Sequence, residues 1–139
     1  MRLVSDETWA AMTIWQEAQG ESYEGKLAVA EVIRNRTRAR HMSDGTVPGT
    51  CLWPVQFSGW NAIDPTPKYR ERIEGAKLDD SDPIVKDCIR AWKEAMAGSD
   101  TVKGAMYYFN PHIVKPAWAR EATVLATVGN HVFVRLKGA

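Results

Sequence analysis

Three carboxylates, Glu17, Glu21 and Glu24, surround Gly20 at a point where one apolar-patterned segment stops and the next begins. A carboxylate at such a break can face a cleft. Glu17 follows the apolar pair Ile14-Trp15, and neighbouring bulk can desolvate a carboxyl, raise its pKa and keep it protonated as a general acid. The competing reading is a solvated glutamate closing an amphipathic helix. Glu31 is the second candidate for chemistry, because it interrupts the apolar run Ala28-Val29-Ala30-Glu31-Val32-Ile33. It is either a partly buried acid or a polar-face residue of its helix. Glu21 stands where a following helix would begin, so exposed N–H groups and the helix dipole favour a carboxylate there whether or not it meets substrate.

Other side chains could line a groove. Gln56 and Ser58 offer an amide and a hydroxyl for hydrogen bonding, with Phe57 between them read as a core anchor. The run Tyr107-Tyr108-Phe109-Asn110-Pro111 alternates as a strand does, which puts Tyr108 and Asn110 on one face and Tyr107 and Phe109 on the other. The polar pair is expected to face the groove. Trp118, just after Pro116, reads as an aromatic platform or as packing, and His131 as a turn residue or a groove residue. Cys51, Cys88 and the three histidines lack metal-ligand spacing, so no metal or cofactor is expected and chelators should leave any activity intact. The same absence disfavours an amidase or peptidase, which needs a zinc set or a Cys–His pair.

These residues need a scaffold, and the pattern supplies a mostly helical one. Ser5 can cap a first helix with Asp6 and Glu7 in its first turn, and Ala11, Ile14, Trp15 and Ala18 recur at helical spacing until Gly20. Ser22 can cap a second helix with Val29, Val32, Ile33 and Arg36 on one stripe, expected to be the central helix. From 42 to 67 the chain is rich in Gly, Pro, Asp and Ser and reads as a long functional loop, followed by a short helix over 68–76. The clearest helix runs over 82–97, with Asp82 as cap, Pro83 in the first turn and Val85, Cys88, Ile89, Trp92 and Met96 in period before Gly98. Segments 123–128 and 131–136 flank Gly129-Asn130, a two-residue hairpin signal.

Taken in order, Glu17-Ala18-Gln19-Gly20-Glu21, the run 26–36, Gln56-Phe57-Ser58, Tyr107-Tyr108-Phe109-Asn110-Pro111 and Gly129-Asn130-His131-Val132-Phe133 resemble the SleB-type cell wall hydrolase family, founded on spore-cortex lytic enzymes. The blocks span residues 10–135; Gln19 stands where the family commonly has Arg, and Val134 where it has Tyr. The resemblance implies a mainly α domain with a small β-hairpin, an α+β lysozyme-like fold occupying 1–139 as one catalytic domain. It implies cleavage of peptidoglycan glycan strands between N-acetylmuramic acid and N-acetylglucosamine, with Glu17 as the catalytic acid. Glu21, Gln56, Ser58, Tyr107, Tyr108, Asn110, Trp118 and His131 would contact substrate. A lytic transglycosylase is favoured, because the muramoyl C6 hydroxyl serves as internal nucleophile and leaves a 1,6-anhydro sugar. Two alternatives stay open: a hydrolysing muramidase using Glu31 as second carboxylate, and a non-catalytic glycan-binding or virion structural protein on the same fold.

Bulk properties agree with one soluble, monomeric domain. A chain of 139 residues can form one genuine core, and a formal net charge of +1 gives no basic excess for nucleic acid. No stretch reaches membrane-spanning length. The opening Met1-Arg2-Leu3-Val4-Ser5-Asp6 has no signal-peptide character, so the expectation is a phage or prophage endolysin made in the host cytoplasm and released to the wall through a holin pore.

Overall fold

The computed structural model describes residues 5–53, 56–57 and 80–138. Helix α1 (Asp6–Ala18) begins where the Ser5 hydroxyl accepts from the Thr8 N–H, with Asp6 and Glu7 in its first turn. Helix α2 (Tyr23–Ala39) begins in the same way, Ser22 accepting from the Gly25 N–H. Each cap satisfies an N–H that has no partner inside its helix, which is why both helices start where a serine precedes the apolar period. Helix α3 (Val47–Cys51) corrects the expectation of an unbroken loop over 42–67. Thr46 accepts from the Gly49 N–H and Pro48 sits in the first turn, so local capping carries one helical turn through a composition that reads as irregular. The helix expected over 68–76 lies outside the described residues.

Helix α4 (Pro83–Met96) has Asp82 accepting from the Ile84 N–H at 2.8 Å. Its buried line is Val85, Cys88, Ala91, Trp92 and Ala95, while Met96, placed on that face by periodicity, is half-exposed at the last turn.

α2 is central, as its stripe suggests, and residues 25–34 are buried without interruption. Leu27, Val29, Ala30 and Ile33 join Ala10, Ile14, Cys51, Phe57, Cys88 and Trp92 in a core among the helices. Ala28 and Val32, on another face, pack with Val102, Ala105 and Phe133. Two charged residues of α2 are buried with their needs met. The Arg34 guanidinium donates to the Ala95 carbonyl at 2.6 Å and to the Ser99 carbonyl, closing the end of α4. Glu31 accepts from the Ser99 hydroxyl at 2.6 Å, the Thr101 hydroxyl at 2.8 Å and the Val102 N–H at 2.9 Å. The segment after α4 is thereby tied back onto α2.

The β-hairpin pairs β2 (Thr123–Val128) with β3 (His131–Arg135), and Gly129 takes φ 56° in the turn. A Cβ there would also stand 2.9 Å from Glu21 Oε2, so glycine serves both the turn and the close approach. β1 (Tyr107–Phe109) adds antiparallel to the other edge of β3, in the order β1-β3-β2, with Tyr108 opposite Phe133. The sheet is therefore three-stranded rather than a bare ribbon: the strand that alternation marks at Tyr107–Phe109 forms, and its pairing with β3 is a contact between distant parts of the chain that alternation does not specify.

Candidate functional site

The site forms at the corner where α1 meets α2. The buried Lys26 reaches back from α2, its ammonium donating to the Glu21 carbonyl at 2.5 Å and to the Gln19 carbonyl at 3.5 Å. A cation on the carbonyl end of α1 is favoured by both the free acceptors and the helix dipole, so this contact holds the corner and fixes the last turn of α1, where Glu17 lies. Glu17 opens into a cavity of about 430 Å³ between α1, α2 and β1. The cavity is walled further by Arg36, Met42, Gln56, Tyr107, Tyr108, Trp118 and Leu136.

Glu17 is held by one strong partner: the Tyr108 hydroxyl donates to its Oε1 at 2.7 Å. Three influences act on its carboxyl. Burial raises its pKa and is the largest; the Tyr108 hydrogen bond and the Arg36 charge lower it, and burial prevails. The result is an acid that keeps its proton to higher pH than an exposed glutamate, with a hydroxyl and a cation at hand to stabilise the carboxylate once the proton has left. Burial also pushes the Tyr108 phenol well up, with the Glu17 charge adding to it, so Tyr108 stays a donor. Sequence order placed the bulk that desolvates Glu17 at Ile14-Trp15. Ile14 and Trp15 pack on the helical core, and β1 adds an aromatic partner for Glu17 in Tyr108.

Tyr108 is itself braced. Its ring stacks on Phe133 with centroids 5.4 Å apart, and the His131 ring meets it edge-on at 5.2 Å. His131 Nδ1 lies 3.5 Å from Glu21 Oε1, an ion-pair distance without hydrogen-bond geometry. Burial lowers the His131 pKa against the opposing pull of Glu21. Asn130 Nδ2 approaches the same Glu21 oxygen at 3.4 Å. Glu21 thus stands over the hairpin turn rather than on the cavity wall, and His131 stands behind Tyr108.

On the far wall, Arg36 is buried, its Nε donating to the Met106 carbonyl at 2.7 Å while the guanidinium lies over the rings of Phe57 and Tyr107 at 5.3 and 5.7 Å. A long 3.5 Å contact from Arg36 Nη1 reaches the side-chain amide oxygen Oε1 of Gln56. The Tyr107 hydroxyl meets His41 Nε2 at 2.5 Å, and its ring tilts against Trp118 with centroids 5.5 Å apart. Trp118, nearly half-exposed, forms the rim on a single helical turn, Ala117–Ala119.

Of the residues singled out in the sequence, the fold brings Glu17, Gln56, Tyr107, Tyr108 and Trp118 to one cavity. Asn110 does not join them, because its carboxamide oxygen accepts from the His112 N–H at 2.9 Å and shapes the turn after β1. The expected split of Tyr107 from Tyr108 fails for a topological reason: β1 is an edge strand and the cavity runs along that edge, so both faces border it. Glu31 is fully buried under the 99–102 segment, outside the lining of the cavity. Ser58 lies outside the described residues. Arg36, Met42 and Leu136 are cavity residues that sequence reasoning did not select. For Arg36 a signal existed, since it is the one charge on the stripe Val29, Val32, Ile33, Arg36. Met42 and Leu136 carried none. Among the described residues no group of His, Cys, Asp and Glu could hold a metal ion.

Comparison with known proteins places this geometry among relatives. The family described as Cell Wall Hydrolase matches residues 20–134, beginning three residues after Glu17. The spore cortex-lytic enzyme of Oceanobacillus iheyensis is 32% identical over 129 residues, 90% of this chain and 40% of that protein. The spore cortex-lytic enzyme of Bacillus subtilis is 30% identical over 123 residues, 88% of this chain and 35% of that protein. The chain thus spans 40% or less of the length of these two curated relatives. Among solved structures, the catalytic domain of the germination-specific lytic transglycosylase SleB from Bacillus anthracis superposes with a TM-score of 0.69 at 26% identity, covering 94% of this chain and 93% of that one. The catalytic domain of the Bacillus cereus SleB protein gives 0.71 at 26%, covering 94% and 89%. The fold is the expected lysozyme-like α+β fold, mostly helical with one small antiparallel sheet.

Proposed function

The chain belongs to the cell wall hydrolase family, and from that premise we propose that it is a peptidoglycan lytic transglycosylase, with Glu17 acting first as acid and then as base. The observation that carries the reading is the state of Glu17: a carboxyl whose pKa burial raises, anchored by the Tyr108 hydroxyl at 2.7 Å, facing a cavity of about 430 Å³. Protonated Glu17 gives its proton to the oxygen bridging N-acetylmuramic acid and N-acetylglucosamine. The C1–O bond breaks with the electron pair going to that oxygen, and charge develops at the muramoyl C1. The muramoyl C6 oxygen then bonds to C1 while its proton passes to the Glu17 carboxylate. The acid is regenerated, no water is consumed and the product is a 1,6-anhydro sugar.

Two features support internal attack over hydrolysis. Glu17 is the sole carboxylate on the cavity wall among the described residues, and both Glu31 oxygens are engaged by Ser99, Thr101 and Val102. A hydroxyl tethered to the reacting ring also has an entropic advantage over bulk water. The names of the relatives, spore cortex-lytic enzymes and a germination-specific lytic transglycosylase, point the same way. Gln56, Tyr107 and Trp118 are proposed to bind the sugars, the aromatic rings offering apolar faces and the amide its hydrogen bonds.

The test is mass spectrometry of muropeptides released from purified sacculi, with and without borohydride. Non-reducible 1,6-anhydro ends are expected, and a Glu17→Gln variant should be slower by at least about 100-fold, the lower end of acid–base contributions. Chiefly reducible muramic ends would make the enzyme a hydrolase. A Gln variant within about tenfold of wild type would remove Glu17 from the mechanism.

A further inference from the structure

Glu21 and His131 take no part in the steps assigned to Glu17, yet their side chains are mostly buried, 14% and 13% exposed. Space for Glu21 is made by two glycines from different elements. A Cβ on Gly25 of α2 would stand 2.8 Å from Glu21 Cβ, and one on Gly129 of the hairpin turn 2.9 Å from Glu21 Oε2. The backbone of Glu21 is held as well, its N–H donating to the Ala18 carbonyl at 3.0 Å and its carbonyl accepting from the Lys26 ammonium at 2.5 Å. Against the carboxylate so seated the hairpin sets His131, with Nδ1 3.5 Å from Oε1.

The sheet carries that contact to Glu17. Tyr108 stands opposite Phe133 in the β1–β3 register, and residues two apart on a strand share a face, so Tyr108, Phe133 and His131 line one side of the sheet. There the His131 ring meets the Tyr108 ring edge-on at 5.2 Å, and the Tyr108 hydroxyl donates to Glu17 at 2.7 Å. The corner between α1 and α2 is thus fastened to one face of the sheet at two points, Glu17 on Tyr108 and Glu21 on His131. The two anchoring rings touch each other.

We propose that Glu21 and His131 are positioning residues, a clamp that holds the Tyr108 hydroxyl on Glu17 and meets no substrate. The proposal rests on Glu17 being the acid of the reaction. The groups set against Glu17 are Tyr108 of β1 and Arg36 of α2, and those set against His131 are Glu21 and Tyr108. The Tyr108 hydrogen bond lowers the Glu17 pKa against the larger effect of burial, so slackening the clamp raises that pKa further. Charge repulsion alone predicts the opposite sign, because removing a nearby carboxylate lowers the pKa of the one that remains.

The experiment reads the Glu17 carboxyl itself, by NMR titration of isotopically labelled glutamate carboxyls, with the Glu17 signal identified by its loss in Glu17→Gln. Glu21→Ala and His131→Ala should each raise the Glu17 midpoint by no more than Tyr108→Phe does, about half a unit to one unit for a single hydrogen bond. With Tyr108 already replaced by Phe, neither change should raise it further. A midpoint that falls, stays put, or rises equally in the Tyr108→Phe background overturns the clamp. Thermal melts accompany each variant, and whichever of the two folds decides the matter. On soluble glycan-strand fragments both variants should lower kcat about tenfold, the scale of a slightly misplaced acid, with KM unchanged. A raised KM at unchanged kcat would instead make the pair a substrate-contacting wall. If the midpoints shift as expected in a protein that releases no muropeptides, the clamp stands and the acid role of Glu17 falls. If release depends on Glu17 while the midpoints do not move, the clamp falls and the acid role stands.

Discussion

At Glu17 the competition between burial and pairing decides both chemistry and stability. A carboxyl raised by burial favours folding in its protonated form, so that contribution is fully present below the unfolded-state pKa and is lost as pH rises through the folded one. At neutral pH, above the unfolded-state pKa, the wild-type protein therefore bears the cost of burying a group that the unfolded chain ionises, relieved only in part by Tyr108 and Arg36. Glu17→Gln has no such burden and can still accept from the Tyr108 hydroxyl. Thermal melts across pH should show the Gln variant more stable than wild type near neutrality, with the gap closing as pH falls through and below the ordinary carboxylate range. A gap that stays constant with pH would mean that Glu17 is not raised. The same series separates the catalytic loss expected of this variant from any loss of fold.

Glu31 shows how an element is held together by a group that looks catalytic in the sequence. Its two oxygens take three donors from 99–102, and Arg34, one turn along α2, takes the carbonyls that end α4. The pair does for the exit of α4 what Ser5, Ser22 and Asp82 do for helix starts. Removing the carboxylate leaves the buried Val102 N–H without an acceptor and empties a fully buried site, while the half-buried Ser99 and exposed Thr101 hydroxyls can turn to water, so Glu31→Ala should cost about 2 kcal/mol or more, read as a lowered denaturant midpoint. Muropeptide release per folded molecule at low temperature should stay close to wild type. A folded Glu31→Ala protein that releases no muropeptides would return Glu31 to the chemistry.

Across the whole molecule, the helical core closes over both cysteines. Cys51 and Cys88 are free and fully buried, and burial pushes both thiols up to about 12. They act as small apolar side chains, in keeping with the place of Cys88 in the apolar period of its helix. A soluble aromatic disulfide should therefore react with neither in the native state and with both in denaturant, and reductant should not change the melting temperature. Rapid stoichiometric labelling of the native protein would show that the core opens readily around α3 or α4.

What the sequence determined on its own is what local bonds determine. Ser5, Ser22 and Asp82 satisfy N–H groups two or three residues away, and Gly129 sets a two-residue turn, so the starts of α1, α2 and α4 and the hairpin were legible without any tertiary partner. Glu17 was legible too, through its place at the helix break and in an ordered set of blocks. The remainder depended on contacts between distant parts of the chain. Tyr108 lies 91 residues from the carboxyl it serves, Arg36 takes the Met106 carbonyl 70 residues away, and Val102 meets Glu31 across 71. One glutamate faces a cavity, one braces a turn and one is consumed inside the fold. Nothing within a few residues of Glu17, Glu21 and Glu31 separates those fates, because burial and partners set a carboxyl's chemistry and only the assembled helices and sheet supply them.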